Sequence, residues 1–271
     1  MVLQRHSAFV TNRNYRRNEH ESEIKEENHI MLLYFFDTAV FAGGCLFFQF
    51  TDLGYRMSVP YRSSFEKVAD HIYANKNYSG NIKEAIQITE DAFARDRAFF
   101  GELQCTDTTK TIVIICDDDN LLSKLGGDHD TKTSIFDPKK NYISVSDEYL
   151  NIDILAHELT HAELHTRLNT NALKGIPTWF DEGLATQNDY REQYGLDAWI
   201  KQTDNGKNAL PLEDMDTGSE FYAGTVEDRR FRYVNAKHEV GVWMETHQQK
   251  GVLELFDKLN NGEEFDTAYF K

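Results

Sequence analysis

Two periods of apolar and polar positions run along this chain, and the clearer one is helical. Ile152, Ile154, Leu155, Leu159 and Ala162 recur at roughly helical spacing, with Asn151 or Asp153 placed to cap the first turn. Pro177 or Thr178 opens a second helix, in which Trp179 and Phe180 serve as core anchors while Gly183 and Ala185 allow a close neighbour. A longer amphipathic helix is predicted over 81–102, where Ile82, Ala85, Ile86, Thr89, Ala92 and Phe93 share one side. The stretch 54–61 reads as a short strand leading into a helix over 63–75. Thr111–Cys116 (TIVIIC) reads as a buried strand, ended by a turn and helix cap at 117–120, with a Gly/Asp loop at 126–130. Residues 141–145 (NYISV) alternate as a further strand. An acidic, Gly-containing stretch over 203–228 is expected to be loop with little helix, covering a cleft. An apolar helix then starts at Tyr233 and ends near Thr246.

The N-terminal part has a different pattern. Residues 1–29 are polar and mixed in charge, which predicts a disordered tail. Residues 30–51 are almost wholly apolar, with Asp37 the only charge before position 51. That length crosses a hydrocarbon core, and its Ile, Leu, Val and Phe contribute roughly −5 kcal/mol on an insertion scale against about 3 kcal/mol for a central Asp. The expectation is one transmembrane helix; the competing reading is two buried strands joined near Gly43-Gly44. Flanking Lys and Arg lean towards an inside tail and an extracytoplasmic folded domain.

Residues 157–161 read His-Glu-Leu-Thr-His, a match to H-E-x-x-H. On a helix, His157 and His161 share a face one turn apart and present two imidazoles to one point, at the spacing a tetrahedral Zn²⁺ accepts. Glu158 sits beside that point, where a general base takes a proton from water. A third ligand is needed. His165 continues the row but lies about 12 Å along the axis from His157, too far to share one metal, and reads as second-layer or structural. Glu182 on the second helix is the better candidate.

The His-Glu-Leu-Thr-His run, followed 21 positions after His161 by the Glu of Trp-Phe-Asp-Glu-Gly-Leu-Ala, resembles the gluzincin zinc metallopeptidases. Within them it is similar to the peptidase MA-like group, distantly related to thermolysin and aminopeptidase N. The resemblance covers about 111–271. It implies an α+β, zincin-like core: a small mixed sheet with 141–145 as its edge strand, an active-site helix, a glutamate helix and C-terminal helices. It implies one Zn²⁺ per chain on His157, His161 and Glu182, with Glu158 as base and proton shuttle. Carried over by position, Tyr233 donates to the oxyanion of the tetrahedral intermediate; Tyr222 and His238 are weaker candidates for that role. The chain also departs from the pattern. Thermolysin-type enzymes place an Asp four positions after the ligand Glu; Thr186 stands there, so the group orienting the histidines comes from elsewhere, with Asp181 a candidate. The exopeptidase motif of aminopeptidase N is absent, which favours an endopeptidase.

Composition narrows the classes. The 271 residues carry a net charge of −16, which excludes a generic nucleic-acid binder and repels anionic lipid headgroups. Cys45, Cys105 and Cys116 form no C-x-x-C pair, so no Cys zinc cluster is expected; Cys105 and Cys116 either pair or stay separate buried thiols. The domain reading is a tail (1–29), a membrane helix (30–51), an N-terminal α/β part (52–110) and a catalytic domain (111–271). The expected function is a membrane-tethered zinc peptidase acting on polypeptide substrates. The alternative is a zinc-bearing but inactive protein that binds peptides or a partner.

Overall fold

The computed structural model describes residues 48–49, 51–105, 111–127, 140–271 and the strand at 131–136. The expected tail and nearly all of the expected membrane span lie outside these residues. Among the described residues no helix is long and apolar enough to cross a membrane. The chain divides into two units, 1–55 and 56–271. At the end of the first unit helix α1 (Asp52–Ser58) begins, where a short strand was expected. The Thr51 hydroxyl accepts the Gly54 amide and Asp52 stands in the first turn, both of which favour a helix start.

The second unit carries a five-stranded mixed sheet in the order β1-β2-β3-β5-β4. Strands β1 (Phe65–Ala69) and β2 (Ile72–Asn75) form an antiparallel hairpin, replacing the helix expected over 63–75. His71 sits in the turn with a left-handed φ of 48°. The reason is pairing rather than propensity. β2 lies parallel to β3 (Thr111–Cys116), with Ile72 opposite Val113 and Ala74 opposite Ile115, which places their side chains in the core. β3 is buried along its whole length, as befits a parallel strand covered on both faces. It also runs parallel to β5 (Lys140–Ser146), and β4 (Thr131–Phe136) pairs antiparallel on the other side of β5. The expectation that 141–145 is the exposed edge is therefore corrected: β4 takes the edge. Tyr142, Ile143, Ser144 and Val145 are all buried, so neither face of β5 is suited to solvent.

Helix α2 (Ile82–Phe100) is capped by Asn81, whose side chain accepts the Glu84 amide. Helix α3 (Asp119–Lys124) is capped by Asp118, as the turn at 117–120 predicted. Cys105 and Cys116 are separate buried thiols, and burial pushes Cys116 up to about 11. Six further helices follow β5: α4 (Ile152–Arg167), α5 (Thr170–Lys174), α6 (Thr178–Gln187), α7 (Leu196–Thr203), α8 (Gly218–Phe221) and α9 (Val226–Asn260). A last one, α10 (Phe265–Phe270), ends the chain. α9 breaks at Gln248, where φ is 56°, close to the predicted end near Thr246. α4 packs between α2 and α6, and α6 packs on α9. The fold is α+β, and because β2 pairs with β3, segments 52–110 and 111–271 share one sheet.

Candidate metal centre

The site is built on α4. Asn151 caps it by accepting the Ile154 amide at 3.0 Å. Leu155, Leu159 and Ala162 are fully buried and fix the helix in the core. The flank of α4 against α2 is polar and hydrogen-bonded, although Asp96 Oδ2 and Asn188 Oδ1 are buried with no partner. Glu163 accepts from the backbone amides of Gln104 and Cys105 and from the Arg167 guanidinium. The Thr160 hydroxyl donates to Asp96 on α2 at 3.0 Å, and the Asn188 amide donates to both. Burial holds the Asp96 carboxyl well above the usual range, with nearby Glu163 adding to it against the pull of those two hydrogen bonds. Sequence reasoning missed this network. Its signal was available, since Asp96 extends the buried stripe Ala85, Thr89, Ala92, Phe93 of α2, and an acid on an apolar stripe requires a partner.

The carboxylate side is built on α6. Its first amide, Thr178, donates to the Asp216 carbonyl, and the Trp179 indole donates to the Asp216 carboxylate. Trp179 and Phe180 are buried against Phe265 and Tyr269 at centroid separations of 5.1–5.7 Å. Losing either ring would cost about 3–5 kcal/mol. Gly183 lets α6 lie directly on α9: a Cβ there would stand 2.6 Å from the Ala236 carbonyl oxygen. That close approach sets the depth at which Glu182 projects.

The two helices bring three donor atoms together. His157 Nε2 and His161 Nε2 are 3.2 Å apart, and Glu182 Oε2 lies 3.3 and 3.5 Å from them. An ion with tetrahedral bonds of about 2.0–2.1 Å separates its ligand atoms by about 3.3 Å, so these residues fit one. Glu182 Oε2 is buried with no hydrogen-bond partner and faces both imidazole Nε2 atoms. Burial opposes charge on Glu182, but His161 and His157 outweigh it and hold the carboxyl well below its usual range. Burial likewise opposes a charged His161, while Asp181 and Glu182 overcome it and raise the ring well above the ordinary imidazole range. His157, His161 and Glu182 thus form one largely buried cluster whose ligand atoms all lie within 4.8 Å of one another.

Asp181 supplies the orienting contact that Thr186 does not. Its carboxylate is 2.7 Å from His161 Nδ1, so it accepts that N–H and fixes the ring with Nε2 towards the cluster. Its other oxygen is 3.4 Å from His165 Nε2, which places His165 in the outer layer. Thr186 instead donates to the Glu182 carbonyl within α6. Glu158 follows His157 on α4 and is half-buried.

Tyr233 lies two turns inside α9 rather than at its start. The missed signal was Thr225 with Asp228, a capping box that opens the helix at Val226. Its ring is 6.2 Å from that of His157 and packs against Phe221 and Tyr194. Its hydroxyl makes no hydrogen bond among the described residues. Burial, then Glu182 and neighbouring groups including Glu158, push it well above the usual phenol range, so it stays protonated. Tyr222 is also held protonated, by burial and then by Glu182, to whose Oε1 its hydroxyl donates. His238 stacks flat on Trp199 at 3.5 Å and is not part of the converging set.

No family model matches this chain, and no curated protein matches it.

Proposed function

We propose that the chain is a zinc-dependent peptidase with a zincin-like core, akin to the gluzincins and acting as an endopeptidase on polypeptide substrates. The observation that carries this reading is the convergence of His157 Nε2, His161 Nε2 and the unsatisfied Glu182 Oε2 at 3.2–3.5 Å. These three residues would hold one Zn²⁺, and bound there the metal supplies Lewis acidity, acidifying water towards neutrality and polarising a carbonyl. Glu158 takes the proton of the attacking water and returns it to the leaving amine. Tyr233, whose ring lies 6.2 Å from that of His157 and whose hydroxyl stays protonated, donates to the developing oxyanion. Asp181 fixes the His161 ring. Beyond β4 the sheet has no further strand among the described residues, so an extended peptide can pair there by main-chain hydrogen bonds. The apolar stretch 30–51 supports a single-pass tether with the catalytic part outside the cytoplasm.

The test is hydrolysis of casein and of a peptide library by the full chain, with and without a chelator and with zinc restored. Cleavage should be lost to the chelator and recovered with zinc. Glu158→Gln should keep the metal and lose about 10²- to 10⁴-fold in rate. Full activity in Glu158→Gln would remove the base assignment. A zinc-loaded wild type that cleaves nothing would point to the peptide-binding alternative.

A further inference from the structure

The second oxygen of Glu182 is already committed. Tyr222 donates its hydroxyl to Glu182 Oε1, while Oε2 faces the two imidazoles. Tyr222 belongs to the segment between α7 and α9, and that segment is held at several points close to the site. Asp216 receives the first amide of α6 and the Trp179 indole. The Thr217 and Glu220 side chains close a capping box over α8. Phe221 is fully buried and packs edge-on against Tyr233 at 5.0 Å. The Arg232 guanidinium donates to the Ala223 carbonyl at 2.7 Å, tying the end of the segment back to α9. Tyr222 itself is 45% exposed, so a phenol at this position does little for the core. Its hydroxyl is nonetheless turned onto a carboxylate that is only 5% exposed. An exposed ring that spends its one donor on a buried ligand atom is placed for that atom.

We propose that Tyr222 is a positioning residue for the metal centre, holding Glu182 so that Oε2 alone is presented to the ion. The inference rests on the zinc reading above. By occupying Oε1, the hydroxyl keeps the carboxylate from turning both oxygens onto the metal, which preserves an open position for water and substrate. It also separates the work of the two tyrosines. Tyr233 keeps its hydroxyl for the substrate, whereas Tyr222 acts through Glu182. Adjacent positions on one short segment, Phe221 and Tyr222, thereby support the oxyanion donor and the third ligand.

The experiment is titration of the metal-free full-length wild type, Tyr222→Phe and Glu182→Gln with Zn²⁺, and with Co²⁺ read by its visible absorption. Thermal melts of the metal-free proteins run alongside. Tyr222→Phe keeps the ring and its contact with Phe221. Its zinc affinity should fall about 10- to 100-fold, the usual effect of removing a group that orients a ligand, at unchanged metal-free Tm. Its Co²⁺ bands should weaken relative to wild type as Glu182 becomes bidentate and the coordination number rises. Tyr222→Phe with wild-type zinc affinity and Co²⁺ spectrum overturns the inference while leaving the zinc reading intact. So does a lower Tm with unchanged metal binding, which marks a merely structural tyrosine. A wild type that binds neither metal removes the zinc reading, and this inference with it.

Discussion

Gly183 is where packing and the proposed chemistry meet, and Gly183→Ala isolates the connection. The new Cβ would stand 2.6 Å from the Ala236 carbonyl oxygen, 2.8 Å from Val240 Cγ2 and 2.9 Å from the Ala236 carbonyl carbon. Two of these three atoms are α9 backbone, which does not swing aside, so α6 must lift by roughly 0.8 Å to restore van der Waals contact. Such overpacking costs about 1–3 kcal/mol. Replacing Gly by Ala inside a helix returns about 1 kcal/mol. The net loss is about 0–2 kcal/mol, and at about 2–4 °C per kcal/mol for a domain of this size the metal-free Tm should fall by no more than about 8 °C. The effect on the metal should be larger. Glu182 precedes Gly183 and moves with α6, which shifts its 3.3 and 3.5 Å separations from the histidines off their present values. Zinc affinity is expected to drop about 10-fold or more. Gly241→Ala on α9 is the control, because its Cβ would meet only the flexible Gln187 side chain, at 3.4 Å. That variant should be neutral or stabilised by up to about 1 kcal/mol and bind zinc as wild type does. Calorimetric titration and thermal melts measure both quantities. A Gly183→Ala protein with wild-type zinc affinity would refute the claim that the α6–α9 approach sets the third ligand.

Two other predictions concern Tyr233 and His71. Tyr233→Phe should lower kcat by about 10²- to 10³-fold with little change in KM or zinc affinity; unchanged kcat in steady-state assays would assign the oxyanion elsewhere. His71 is half-buried and edge-on against Phe93, neither ring nitrogen has a hydrogen-bond partner, and burial lowers its affinity for a proton despite Glu90 and Asp70 nearby. Its folded-state pKa thus lies below the unfolded value of about 6.5, so the unfolded chain binds more protons in that interval. Stability is fully present above about pH 6.5 and falls as the pH drops towards the folded value, by at most about 1.4 kcal/mol per pH unit for one proton. His71→Asn accepts the left-handed φ of 48° and removes the titration. Its Tm, relative to wild type, should rise between pH 7 and pH 5 in metal-free protein; parallel melting curves would show that His71 does not titrate across this range.

What could be read from the sequence follows the range of the forces involved. The α4 and α6 helices, their starts and the pairing of His157 and His161 on one face are local consequences of helical periodicity and capping, and all are found. The buried strand TIVIIC is likewise a local composition signal. The hairpin at 65–75 is not, because strands of four or five residues are decided by the partner they find, here β3, rather than by their own propensity. The place of β5 inside the sheet depends on β4 pairing beyond it, a contact that alternation within 141–145 cannot report. The start of α9 was legible in Thr225 and Asp228 and was overlooked in favour of the apolar run that follows. Tyr222 reaches Glu182 across 40 residues, and no periodicity marks such a contact.

The charge balance of the cluster bears on which cation it suits. Two carboxylates, Asp181 and Glu182, stay ionised against the opposition of burial because they lie against His161, with His165 and His157 adding to the effect. A proton on His161 answers one of those negative charges and places an N–H where Glu182 and His157 both present acceptors. A divalent ion answers both charges and takes a lone pair from each of the three atoms at once. The buried scaffolds on either side, the Asp96–Thr160–Asn188 network behind α4 and the Trp179–Phe180–Phe265–Tyr269 group behind α6, hold those atoms at 3.2–3.5 Å before any ion arrives. Ordering of the ligands is thus completed by folding rather than charged against binding, which favours tight capture of a small divalent metal over a proton in the proposed enzyme.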